Sequence, residues 1–165
     1  MSDNVEKREV WNGDRLFDAM QALVNGESIA SVIGMTQDNL EVLYALGYKL
    51  YNSGKYEDAK KVFRALCTYD STDVRFWIGL GGSLENLKDY ELAAQMYAMG
   101  CVMTGFNDPE PMFYAAQCFL KNKDKEEAIE TLKLIDMMGR EGNAHDIEFK
   151  DRSKKLRETL ESTSK

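Results

Sequence analysis

Leu43-Tyr44-Ala45-Leu46-Gly47-Tyr48-Lys49-Leu50 returns 34 residues later as Trp77-Ile78-Gly79-Leu80-Gly81-Gly82-Ser83-Leu84. The echo continues downstream, where Tyr56, Ala59 and Phe63 recur as Tyr90, Ala93 and Tyr97. From Leu43/Trp77 through Phe63/Tyr97, seven paired positions keep their class in one register without a gap. A fixed period of this size marks a stacked supersecondary unit. Apolar residues within each copy fall at helical spacing. Ser53-Gly54-Lys55 supplies a turn between two helices. Each copy therefore reads as a helical hairpin. Gly47, Gly81, Ala59 and Ala93 let helix backbones approach, and the large residues fill the grooves between ridges. One such hairpin cannot bury its own apolar face, so neighbours must stack.

Outward from this core, helix A of the first copy is expected over 39–52 and helix B over 56–68. The second copy is expected over 74–87 and 90–103. A weaker third copy follows Asp108-Pro109, read as an N-cap and a first helical proline. Met112, Ala115, Ala116 and Phe119 replace Trp77, Leu80, Gly81 and Leu84, while Lys125 stands where the helix-B tyrosine stood. Asp38 with Glu41 reads as a capping box. Upstream, Leu16, Phe17, Met20, Leu23 and Val24 form one stripe of a helix from Asp14 to Asn25-Gly26. A shorter segment with Ile29, Val32 and Ile33 ends at Gly34. This upstream stripe reads as a cap on the first hairpin, a dimer contact, or both. A last helix over 144–161, with Phe149, Leu156 and Leu160 on one side, reads as a C-terminal cap. Residues 1–12 read as a polar tail. The expected organisation is one all-α domain: an N-terminal helical region at 14–34, repeats at 40–73, 74–107 and 109–142, and the final helix.

Composition narrows the function classes. The chain has 165 residues, 44% hydrophobic and 30% charged, with a net charge of −7 and pI near 4.9. An acidic chain without a basic cluster is a poor nucleic-acid binder. No apolar run approaches the roughly 20 residues needed to span a bilayer, and no signal-peptide core is present. Cytoplasmic residence without direct membrane binding is expected. Cys67, Cys101 and Cys118 all fall in expected helices and read as buried apolar residues. No Cys-x-x-Cys and no second histidine exists, so neither a disulfide, a metal site nor a cofactor is expected. No catalytic arrangement is suggested, because His145 is alone and the glycines of 79–82 lie within a helix. The chain does not read as an enzyme.

The repeated Trp-x-x-Leu-Gly…Tyr-x-x-Ala-x-x-x-Phe order resembles the tetratricopeptide repeat. That resemblance implies a superhelix of three helical hairpins whose A helices line a concave face. Its inward positions map to Glu41, Tyr44, Tyr48 and Tyr51, then Arg75, Ile78, Gly82 and Glu85, then Glu110, Phe113, Gln117 and Leu120. Tyr44, Tyr48 and Tyr51 stand at i, i+4 and i+7, on a stripe separate from Leu43, Leu46, Gly47 and Leu50. Tyrosine offers a rigid apolar body with a hydroxyl that can stay wet, which suits a binding surface. Gly82 would leave a hollow beside the rings, and Ile78, Phe113 and Leu120 would extend an apolar floor. Three anchors at roughly 1.5–3 kcal/mol each, less ordering costs, correspond to about micromolar affinity for an extended peptide.

A narrower resemblance rests on Leu43-Tyr44-Ala45-Leu46-Gly47-Tyr48, Ser53-Gly54-Lys55-Tyr56-Glu57-Asp58-Ala59, Phe63-Arg64-Ala65-Leu66-Cys67 and Arg75-Phe76-Trp77-Ile78-Gly79-Leu80-Gly81. These look like class II chaperones of bacterial type III secretion. The resemblance implies a bacterial cytoplasmic protein that holds hydrophobic translocator proteins before export. An N-terminal client segment would lie in the groove, and Tyr44, Tyr48 and Tyr51 match the family's groove aromatics. The resemblance also implies a homodimer formed through Leu16, Phe17, Met20, Leu23 and Val24, and, for some members, assistance to a transcription activator. The alternatives are a repeat adaptor for another peptide or a secretion regulator. An adaptor that clamps a carboxylate needs Lys, Arg and Asn inside the groove, where this chain has Tyr44, Tyr48, Gly79, Glu110 and Tyr114.

Overall fold

The computed structural model describes residues 13–162, with side chains from Phe17 onward. The expected tail 1–12 and the Leu16 side chain lie outside the described residues. Among the described residues the structure is all-helical: α1 Gly13–Val24, α2 Ile29–Val32, α3 Gln37–Asn52, α4 Tyr56–Tyr69, α5 Val74–Asn86, α6 Tyr90–Met103, α7 Glu110–Lys121, α8 Lys125–Leu134 and α9 Ala144–Ser162. A short 3-10 turn, Ile135–Met137, prolongs α8. From α3 to α8 each helix packs on the next, and α3 also reaches α5. Three hairpins therefore stack, α3/α4, α5/α6 and α7/α8, and α9 closes against α7 and α8. This is the all-α repeat superhelix with an N-terminal helical region and a C-terminal capping helix.

Glycine and ring pairs make the seams. Phe63 on α4 is buried between two glycines of neighbouring A helices. A Cβ on Gly79 would stand 2.5 Å from that ring, and one on Gly47 3.1 Å. Likewise a Cβ on Gly81 would stand 2.7 Å from Tyr97 of α6. Any larger residue there forces the hairpin apart. The turns inside the hairpins share one device. Gly54, Lys88 and Lys123 all take positive φ, and the next N–H returns to a carbonyl five residues back in sequence. Only the first of these has the residue type that suits the left-handed conformation.

Several expectations need correction. Helix α3 starts two residues early, and its capping box is Thr36 with Asn39, not Asp38 with Glu41. The Thr36 hydroxyl accepts the Asn39 N–H, and the Asn39 side chain accepts the Thr36 N–H at 2.9 Å. Glu41 is thereby left for Arg75. Helix α7 begins at Glu110, with Pro109 in the cap position. Asp108 still caps, since its Oδ1 accepts the Glu110 N–H at 3.0 Å. Leu46 is not core. It is exposed, because α1 contacts α2 and leaves that side of α3 open.

The two flanks behave differently. At the start, α2 packs on α4 and buries Ala30. Helix α1 contacts α2 but leaves Phe17, Met20, Leu23 and Val24 exposed. At the end, Phe149 of α9 is buried, and the Ser153 hydroxyl donates to the Leu132 carbonyl at 3.0 Å. Asp146 is buried as well. Its carboxylate accepts from the Arg140 side chain and the Arg140 N–H, and these bonds hold its pKa below the usual carboxylate value. The turn before it needs Gly139 at φ +86°, where a Cβ would meet Asp146 at 3.0 Å. The three cysteines are buried and reduced, and burial pushes their thiols up to about 11 at Cys101 and about 12 at Cys67 and Cys118.

A candidate binding trough on the concave face

An open trough of about 420 Å³ runs along the A helices. Tyr44, Tyr48 and Tyr51 of α3 form one wall, because helical spacing puts them on a single stripe. The rings of Tyr44 and Tyr48 stack at 6.3 Å with 23° between planes. Tyr48 is 54% exposed. Tyr44 is half-buried, with its inner edge against Phe63 and Phe76 at 6.1 and 5.9 Å. Tyr51 leans edge-on against Tyr56 at 5.4 Å, and its hydroxyl accepts from Asn86 Nδ2 at 3.0 Å. Burial raises the pKa of both Tyr44 and Tyr51, so each hydroxyl stays protonated. The wall is thus shared: inner edges belong to the core, outer faces to the trough.

Helix α5 is the floor. Gly79 and Gly82 carry no side chain, so rings from neighbouring helices reach the surface beside Ile78. Phe63 arrives over Gly79, and Tyr51 approaches the place a Gly82 Cβ would occupy to 3.3 Å. Tyr97 arrives over Gly81 and shows its hydroxyl end at the trough. Tyr114 and Gln117 of α7 form the far side.

Charge sits at fixed points. The Arg75 guanidinium is gripped by Glu41 and Asp73 and lies 4.8 Å over the Tyr44 ring. These hydrogen bonds hold the guanidinium charged and draw the Glu41 carboxyl below its ordinary value. Deeper in, Glu85 accepts from the Tyr97 hydroxyl at 2.8 Å and from Lys121. Burial, reinforced by Glu85, pushes the Tyr97 hydroxyl far above its usual pKa. Tyr114 donates to Glu110 at 2.7 Å. The trough can therefore take apolar side chains against rings and offer a few oriented polar groups at its rim.

Of the residues expected in the groove, Tyr44, Tyr48, Tyr51, Arg75, Ile78, Gly82, Glu85 and Gln117 border the trough. Phe113 does not. It is buried beneath α9, with Phe149 5.6 Å from its ring and Arg152 stacked over it at 4.7 Å. Leu120 is half-buried and outside the lining. Phe63, Gly79, Tyr97 and Tyr114 border the trough although the inward-position count omits them. The signal for Phe63 and Tyr97 was the glycines opposite, which leave their rings nothing to stop them. Elsewhere, Asp108, Glu110 and His145 bring one donor atom each within 4.8 Å of one another, a grouping that spacing along the chain does not reveal.

Comparison with known proteins agrees with this fold. Tetratricopeptide repeat models match residues 44–105 and 112–135. The "Low calcium response locus protein H" of Yersinia pestis is 39% identical over 140 residues, covering 85% of this chain and 80% of that protein. The structure of the type III secretion translocator chaperone SycD from Yersinia enterocolitica superposes with a TM-score of 0.72 at 37% identity, covering 81% of this chain and 98% of that one. SycD solved in complex with a peptide of the translocator YopD superposes with a TM-score of 0.69 at 36% identity, covering 79% and 98%. With this identity and coverage joined to the repeat fold, the chain belongs to the tetratricopeptide-repeat family of type III secretion translocator chaperones.

Proposed function

We propose that this chain is a bacterial cytoplasmic chaperone that holds a hydrophobic translocator before its export. A short extended segment of the client lies in the trough, with apolar side chains against Tyr44, Tyr48 and Tyr51. The observation that carries this reading is the half-open tyrosine wall beside an open trough. SycD, which shares the fold, binds a translocator peptide, and that supports the same use here. No helix among the described residues is long and apolar enough to cross a membrane, which fits a carrier rather than a membrane component. The mechanism is masking: a translocator carries apolar surface that would aggregate in water, and the chain's net charge of −7 keeps the complex dispersed. No catalytic step is involved. Residues 14–34 serve as the association element of a homodimer, through Phe17, Met20, Leu23 and Val24, with the repeats at 40–73, 74–107 and 109–142.

The test is binding of a translocator from the same secretion system, measured by isothermal titration. Tyr48→Ala removes an exposed ring and weakens binding by about 2 kcal/mol, near thirtyfold in Kd. Tyr44→Ala with Tyr48→Ala weakens it further while far-UV circular dichroism stays helical. Unchanged binding in Tyr48→Ala would remove the wall from the mechanism.

A further inference from the structure

We infer that Asp108, Glu110 and His145 form a binding site for a divalent cation of the zinc type. The donors come from two places far apart in the chain. Asp108 and Glu110 flank the start of α7, and His145 is the second residue of α9. Packing of α9 on α7 brings them together. His145 Nε2 lies 3.3 Å from Glu110 Oε2 and 3.8 Å from Asp108 Oδ1. The first distance is long for a hydrogen bond and the second is beyond one. Both suit neighbouring ligands of one ion. Zinc bonds of about 2.0–2.2 Å in a tetrahedron set donor atoms about 3.3–3.5 Å apart. Small side-chain adjustments would close the remainder.

The surroundings favour a ligand set over a chance cluster. Glu110 Oε1 is held by the Tyr114 hydroxyl at 2.7 Å, which leaves Oε2 facing the imidazole. Asp108 is fixed by the Glu110 N–H. The His145 ring packs on Phe149 at 4.9 Å, so its orientation is set from behind. Such fixing of ligands from outside is what metal sites need. Both carboxylates are mostly buried while His145 is 45% exposed, so water can reach the fourth position. One imidazole and two carboxylates suit zinc and its transition-metal neighbours. Magnesium and calcium prefer more oxygen ligands than this site gives.

The bound ion would tie the start of α9 to the α6–α7 connection, closing the loop between residues 108 and 145. It would also fix the carboxylate that holds Tyr114 at the trough. The site is read on the free protein, so its failure would leave the chaperone reading untouched.

The experiment uses the full chain without a histidine tag, stripped with chelator and dialysed. His145 is the single histidine, so a tag would supply the strongest competing ligands. Isothermal titration with zinc chloride is expected to show one equivalent bound, and the melting temperature to rise with zinc. His145→Ala is expected to weaken zinc binding about tenfold or more. Glu110→Gln, which keeps an acceptor for Tyr114, is expected to do the same and serves if the first variant folds poorly. Magnesium chloride at equal concentration is expected to give no response. Zinc binding unchanged in both variants, absence of any zinc response, or an equal response to magnesium would each overturn the assignment.

Discussion

Leu46 and Leu80 hold the same place in successive hairpins, yet Leu46 is 45% exposed and Leu80 only 4%. The residue type is identical, so the difference lies in what stands in front. Leu80 has a preceding hairpin to pack against. Leu46 stands at the N-terminal end, where α1 reaches α2 and leaves Val42 and Leu46 of α3 open. The other end of the stack is closed by the chain itself, with Phe149, Ser153 and the Asp146–Arg140 pair sealing α9 in place. A repeat array must hide both terminal faces. This one hides its last face internally and leaves its first exposed, which fits the proposed association with another copy.

The contrast can be broken from the closed end first. Phe149→Ala removes a buried ring between α7 and α9 and is expected to cost about 3–5 kcal/mol in denaturant unfolding. A loss below about 1 kcal/mol would mean that α9 is an appendage rather than a seal. A smaller effect is expected at Asp146. Asp146→Asn weakens a buried, charge-assisted set of bonds and should cost about 1–3 kcal/mol at neutral pH. The same group sets a pH dependence. Its folded pKa is depressed by Arg140, so its stabilisation is present above the ordinary carboxylate value and is lost as pH falls through the folded one. Stability should therefore decline below about pH 4, and less steeply in the asparagine variant. At the open end the effect on the fold is expected to be smallest. Phe17→Asp should change the unfolding free energy of dilute protein little, within about 0.5 kcal/mol. It should shift the sedimenting species from dimer to monomer. A large loss of stability there would show that α1 is core after all.

Much of this arrangement was legible from the chain. The 34-residue echo contains both halves of each seam, glycine on one helix and ring on the other, so hairpins and stacking followed directly. The tyrosine wall was legible because its stripe differs from the Leu43/Leu50 stripe by about a third of a turn. What escaped depends on neighbours that spacing cannot place. Phe113 sits at an inward position by count, but α9 returns over it. Tyr97 belongs to a B helix, yet Gly81 lets it through to the concave side. His145 meets Asp108 and Glu110 only because α9 folds back on α7. Caps were the least legible detail, since Thr36 and Asp38 both offer a capping side chain and the choice rests on two residues of register.

The buried thiols have a practical corollary. Each hairpin carries one, in α4, α6 and α7. Burial raises all three thiols above their ordinary pKa, so the reactive thiolate is scarce at pH 7. Alkylating reagents thus meet an inert surface until a hairpin parts from its neighbours. The rate at which Cys67, Cys101 and Cys118 are modified becomes a clock for breathing of each unit in turn, one that client occupancy would be able to slow.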